Sequence, residues 1–215
     1  MSILLQRINF KKGLMPFFFT LLLAGCTTSF FGGNTANMLK EDANASSDFY
    51  MNKIEQTQKV EEQQTYKLLA ARVLITENKI PQAQALLNEL KDLTPDQLVD
   101  KSLIEAHIAA VKNDNTSAAN VLKNVNLAQL SPSQTGRYYA VKARIAENKA
   151  DIIEAVKARI QMDQVLSDVQ RKQENNDRTW ALLRSANRGI INNTQDEGNL
   201  ALAGWLALTR AYNDN

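Results

Sequence analysis

From Ser47 onward, apolar residues recur every three or four positions in stretches separated by short polar breaks. That period belongs to helices that bury one face. Three stretches carry it most clearly: LLAARVLITENKIPQAQALLNEL from Leu68, LIEAHIAAVKNDNTSAANVLKNV from Leu103, and YYAVKARIAENKADIIEAVKARI from Tyr138. They align at an offset of 35 residues, which superposes Leu68, Leu103 and Tyr138, then Val73, Ile108 and Ala143, then the turn residues Asn78, Asn113 and Asn148. Helix pairs repeated at this spacing predict an all-α superhelical solenoid, in which each pair buries its apolar face on its neighbours.

Helix starts follow from capping signals. Thr94-Pro95-Asp96-Gln97 and Ser131-Pro132-Ser133-Gln134 both have the form of a capping box. In each, the hydroxyl and the Gln side chain satisfy open N–H groups while Pro occupies a position that needs no donor. Thr194-Gln195-Asp196-Glu197 has a related form and is expected to open the last helix, with Gly189 ending the one before it.

The layout resembles tetratricopeptide repeats in degenerate form. Asn78-Lys79-Ile80-Pro81-Gln82-Ala83 is similar to that family's turn into the second helix of a pair, where a small residue admits close packing. Ala118 recurs at the same offset and Ile153 does not. Beyond Asp163 the repeat fades. The last apolar stretch, NLALAGWLALTRAYNDN, lacks the polar face with which solenoids end, so a following segment or a partner is expected against it. Trp180 and Trp205 lie in apolar helical spacing and are expected in the core.

The first 25 residues follow another pattern: a basic stretch to Lys12, an apolar run from Leu14 to Leu23, then Ala24 and Gly25 before Cys26. The run is too short to span a bilayer, which takes about 20 residues, and it fits a secretory signal. The junction Leu23-Ala24-Gly25-Cys26 resembles the lipobox of bacterial lipoproteins. That resemblance implies peptidase recognition of Leu23, Ala24 and Gly25, cleavage before Cys26, and acylation of the Cys26 thiol and its new α-amine. A buried cysteine in an apolar helix is the alternative. Thr27, in place of Asp, implies sorting to the outer membrane, facing the periplasm. Residues 26–46 mix Gly, Ser, Asn and charge without a period and are expected to form a flexible tether, leaving 47–215 as the helical domain.

Composition narrows the function. The formal charge of +2 falls to −1 without Arg7, Lys11 and Lys12, since 22 basic residues then face 23 acidic ones. No basic run remains to suggest nucleic-acid binding. One cysteine and one histidine make a disulfide, a zinc site or a histidine-based triad poor expectations. There is no glycine-rich phosphate loop, G-x-S-x-G or H-E-x-x-H sequence, so neither a catalytic residue nor a metal or other cofactor is expected. Arg72, His107 and Lys142 share one repeat position. They form either a solvated helix face or a mildly basic line on the concave surface, where solenoids bind ligands. Peptide, glycan and no ligand are open alternatives there. The charge runs Glu61-Glu62 and Arg171-Lys172 are expected on solvated faces.

Several stretches resemble one family in order and spacing: SDFYMNKIEQ from Ser47, LLAARVLITENK from Leu68, GRYYAVKARIAENK from Gly136, DRTWALL from Asp177 and GWLALTRAYNDN from Gly204. The family is that of outer-membrane lipoprotein activators of class A penicillin-binding proteins. The resemblance implies a non-enzymatic protein that regulates peptidoglycan synthesis, with the synthase as partner, the lipid anchor in the outer membrane and peptidoglycan as a further candidate contact. It also implies a second, two-lobed α/β domain beyond these 215 residues, so that this chain supplies anchor and helical scaffold. The alternative is a solenoid lipoprotein serving β-barrel assembly.

Overall fold

A computed structural model describes residues 35–214, so Leu23, Ala24, Gly25 and Cys26, with the rest of the signal, lie outside the described residues. The described part is helical throughout, without a strand. A short helix α1 (Thr35–Met38) precedes α2 (Ser47–Gln56), α3 (Val60–Thr76), α4 (Ile80–Asn88), α5 (Pro95–Val111) and α6 (Asn115–Lys123). After a 3-10 turn at Leu127–Gln129 come α7 (Pro132–Asn148), α8 (Ile152–Asp163), α9 (Val169–Ser185), α10 (Arg188–Asn193) and α11 (Leu200–Asn213). Helices α3 and α4, α5 and α6, and α7 and α8 form successive pairs, with α3, α5 and α7 stacked on one another. Helix α2 packs on α3 at one end, while α9 and α11 close against α8 at the other.

The expected solenoid is present, but its spacing is uneven. First helices of the pairs begin at residues 60, 95 and 132, and second helices at 80, 115 and 152. The offset is therefore 35 and then 37 residues, the two extra lying in the connection between α6 and α7 that holds the 3-10 turn. This corrects the alignment of the third repeat. Asn78 and Asn113 take the left-handed conformation at φ 60° and 63°, and their equivalent is Ala150 at φ 58°, not Asn148. Asn148 ends α7 and donates its side-chain amide to the Ala110 carbonyl (2.7 Å) and Asn115 Oδ1 (2.8 Å). The small residue is kept as well: Ala83, Ala118 and Ala155 are all fully buried, and Ile153 is not the equivalent position. Ala140 and Ile145 take the places assigned to Tyr138 and Ala143.

Both capping boxes form as read. Gln97 N–H donates to Thr94 Oγ1 while the Gln97 side chain accepts from Thr94 N–H, and Ser131 with Gln134 does the same. Gln97 also reaches across the repeat, donating to the Glu61 carbonyl (2.9 Å) and Thr65 Oγ1 (3.1 Å) on α3. The third signal does not open α11. Asn199 caps that helix by accepting from Leu202 N–H at 3.1 Å, whereas Thr194 closes α10. Gly189 falls in the first turn of α10, and α9 ends at Ser185. A further correction concerns the tether. It does not extend to residue 46, because Leu39 is fully buried in the cluster that includes Leu68, Leu69, Ile104 and Ile108.

The register of the third repeat has a measurable consequence. Ala155→Leu forces a larger side chain between closely packed helices and should lower stability by about 1–3 kcal/mol. Ile153→Leu, at a partly buried position, should stay within about 0.5 kcal/mol. Urea denaturation followed by circular dichroism separates the two, and equal effects would contradict the 37-residue offset.

Candidate functional site

The face built by α3, α5 and α7 carries a buried charge cluster. Arg72 comes from α3, Asp100 from α5 and Arg137 from α7, so each repeat contributes one residue. Asp100 is wholly buried, and its Oδ1 accepts from Arg137 Nη2 at 2.6 Å, with Arg72 Nη1 4.0 Å away. Two cations thus share one carboxylate. Burial pulls the Arg137 guanidinium down to about 10, and Asp100 is the main charge opposing that shift.

The segment between α1 and α2 supplies the other acceptors. Arg137 donates to the carbonyls of Leu39 (2.9 Å) and Glu41 (3.4 Å), and Arg72 donates to the Glu41 carbonyl (2.8 Å). Ser131 Oγ donates to the Lys40 carbonyl at 2.7 Å. Asp42 accepts from Ser133 Oγ at 2.6 Å and pairs with Arg171 of α9 at 2.5 Å, while Lys40 pairs with Asp96 at 3.1 Å. Burial alone would raise the Asp42 carboxyl, but Ser133 and Arg171 hold it below its ordinary range. Arg171 therefore belongs to this site and not to a solvated charge run.

Beside the segment lies a cavity of about 590 Å³ whose walls include Asp42, Arg72, Ile104, His107, Val141 and Arg171. His107 is largely buried. Desolvation, followed by the charge of Arg144, lowers its pKa to about 4, so it is neutral at pH 7. Of the three residues predicted to form a basic line, the structure brings Arg72 and His107 together. Lys142 lines a separate cavity of about 310 Å³ with Tyr138 and Glu154, and its Nζ lies 3.8 Å from Glu154. The 37-residue offset explains this, because Arg144 occupies the third equivalent position.

Sequence reasoning missed Asp100 and Arg137. The available signal was positional: Gln97, Asp100, Leu103 and Ile104 fall on one helical stripe and are all buried. A second missed network joins α7, α8 and α9 through Glu147, which accepts from Arg159 (2.6 Å) and Arg178 (2.6 Å). Trp180 and Trp205 are only half-buried. Their rings lie 6.4 Å apart, and Trp180 meets Tyr212 edge to face at 5.4 Å. Leu202 and Leu206 of α11 are buried while Leu200, Leu208 and Tyr212 are exposed, so that helix is apolar on both sides. Among the described residues no group of acids, histidines or cysteines is placed to hold a metal ion, and no helix is long and apolar enough to cross a membrane.

Comparison with known proteins places this geometry in context. The family described as "LppC putative lipoprotein" matches residues 40–215. The whole chain is 71% identical to 38% of the penicillin-binding protein activator LpoA of Pasteurella multocida. It is 60% identical to 37% of LpoA from Haemophilus influenzae. The chain thus spans under two-fifths of the length of these curated relatives. The crystal structure of the LpoA N-terminal domain from H. influenzae superposes with a TM-score of 0.81 at 62% identity, covering 84% of this chain and 82% of that one. The corresponding domain from E. coli gives 0.75 at 29% identity, covering 86% and 82%. The β-barrel assembly alternative finds no support among these relatives.

Two outcomes follow from the cluster. Asp100→Ala leaves two buried cations without their carboxylate and should destabilise the fold by about 3–5 kcal/mol in urea denaturation. The second concerns pH. The folded chain holds His107 at about 4 and the unfolded chain near its ordinary 6.5, so the unfolded state binds the extra proton between those values. Its contribution is therefore complete above pH 6.5 and is lost as pH falls toward 4, on the order of 2–3 kcal/mol. His107→Gln should remove that part of the slope, and an imidazole titrating near 6.5 by NMR would contradict the assignment.

Proposed function

Because the chain belongs to the LppC lipoprotein family, whose relatives quoted above are the LpoA activators, we propose that it serves peptidoglycan synthesis by activating a class A penicillin-binding protein. The observation that carries this reading is the match of the whole chain to proteins named as activators, together with the likeness to their N-terminal domain. In this reading the chain is a scaffold without catalysis of its own. The naming of the relatives as activators supports that role. Cys26 is the lipid-bearing residue, Leu23, Ala24 and Gly25 guide the peptidase, and the acyl chains hold the protein in the outer membrane, facing the periplasm. Several acyl chains at ~0.8 kcal/mol per buried CH₂ make that attachment effectively permanent. The synthase is the partner, and peptidoglycan is a second surface the solenoid passes on its way to it.

The test uses the chain together with whatever sequence its gene encodes beyond Asn215. The expected result is co-purification with a class A penicillin-binding protein and a faster rate of glycan polymerisation or cross-linking in vitro. Failure to bind and to stimulate would sink the proposal. Cys26→Ser should abolish incorporation of labelled fatty acid into the protein and leave the signal segment uncleaved, read as a larger apparent mass, without altering the fold.

A further inference from the structure

The segment from Leu39 to Ala45 is held in the manner of a bound peptide. Its main-chain carbonyls at three successive residues, Leu39, Lys40 and Glu41, accept from side chains of the helical face: Arg137, Ser131 and Arg72. The three carbonyls belong to the turn that closes α1, in which Lys40 N–H donates to the Asn37 carbonyl, and recognition through main-chain groups is indifferent to most side chains. Specificity comes from two positions. Leu39 is fully buried among residues of α3, α4 and α5, and Asp42, three residues later, meets Ser133 and Arg171. A third, Lys40, pairs with Asp96 at a site where both partners are about two-fifths exposed.

The face is larger than its occupant. The 590 Å³ cavity continues past Ala43 and Ala45 to Val73, Ile104, His107 and Val141. Arg72 and Arg137 line it, and each has a buried nitrogen, Nη1 and Nε respectively, without a hydrogen-bond partner, as does Asp100 Oδ2. Buried polar atoms without partners are uncommon in native folds and mark a place where a further polar group is accommodated. The face thus offers unused donors beside those already engaged by the segment.

We propose that residues 39–45 are an exchangeable self-ligand of a peptide-binding face on α3, α5 and α7. When the segment leaves, the face takes a peptide of the same chemistry and the same turned backbone from a partner. That peptide presents a leucine-like side chain in the pit vacated by Leu39. It places a carboxylate three positions later on Ser133 and Arg171, and its carbonyls face Arg72 and Arg137. The charge complementarity of Asp42 with Arg171, and of Lys40 with Asp96, fixes the direction in which the peptide lies.

A cleavable form of the full chain tests this. With a protease recognition sequence inserted between Ala45 and Ser46, cleavage leaves the segment held only by its contacts. A fluorescein-labelled peptide of residues 37–46 is then added, and binding is read by anisotropy. The labelled peptide is expected to displace the severed segment, with the helical circular dichroism of the remaining chain unchanged. Peptides carrying Leu39→Asp or Asp42→Lys should bind at least tenfold more weakly. Three results would overturn the proposal: no exchange, loss of helical signal as the segment departs, or equal binding of the substituted peptides. The second would make the segment an integral part of the core instead of a ligand.

Discussion

One buried carboxylate organises this fold. Asp100 lies where three successive first helices meet, and it binds the arginine of the helix before it and the arginine of the helix after. Removing a charge from water costs several kcal/mol, and the cost is offset only when the partners are close and the remaining hydrogen-bonding groups are used. Asp100 meets the first condition through Arg137 at 2.6 Å. The second is met unevenly. The excess cationic donors turn outward to carbonyls of the 39–41 segment, which is how a stretch outside the repeats becomes part of the face. Helix stacking, the docking of the segment and the polarity of the cavity thus share one origin.

The sequence made the helices and most of their boundaries legible, because each rests on local physics. The Thr94 and Ser131 boxes formed as read, since a hydroxyl and a glutamine three residues apart need only their own helix. Those same two caps stand 37 residues apart, whereas the turn asparagines suggested 35 throughout. The caps were the better ruler. Asparagine tolerates the left-handed turn but does not mark it uniquely, so Asn148 aligned by coincidence while Ala150 took the strained backbone. The two-residue slip then propagated: it moved Lys142 to another cavity, put Arg144 beside His107, and made the third repeat look as if it had lost its small residue when Ala155 supplies it.

The candidate site was less legible because its parts are not local. Arg72 and His107 were found from the repeat position alone, but Asp100 and Arg137 acquire meaning only when three helices stack. The segment 39–45 has no hydrophobic period, and a single leucine among polar residues gives no sign of burial. Its conformation is imposed by donors more than thirty residues away and, for Ser131, Ser133 and Arg137, more than ninety. Local propensity could therefore describe it only as a tether. The same distinction separates Arg171 from an ordinary solvated charge, since its partner Asp42 lies far off in sequence.

Magnitudes bear on how tightly that segment is held. Fixing the backbone of its seven residues costs about 7–14 kcal/mol at 1–2 kcal/mol each. Burying Leu39 returns about 2–3 kcal/mol. Five hydrogen bonds, four of them involving a charged group, return about 7–13 kcal/mol in total. The two half-exposed ion pairs add roughly 1 kcal/mol between them. Gain and cost agree to within a few kcal/mol, so docking is near balance. The helices that form the face have no such equality, since each buries an apolar stripe on both neighbours. Local opening of the segment thus requires far less free energy than opening the solenoid. The face and its occupant are separable in energy even though they share Asp100 as their common centre.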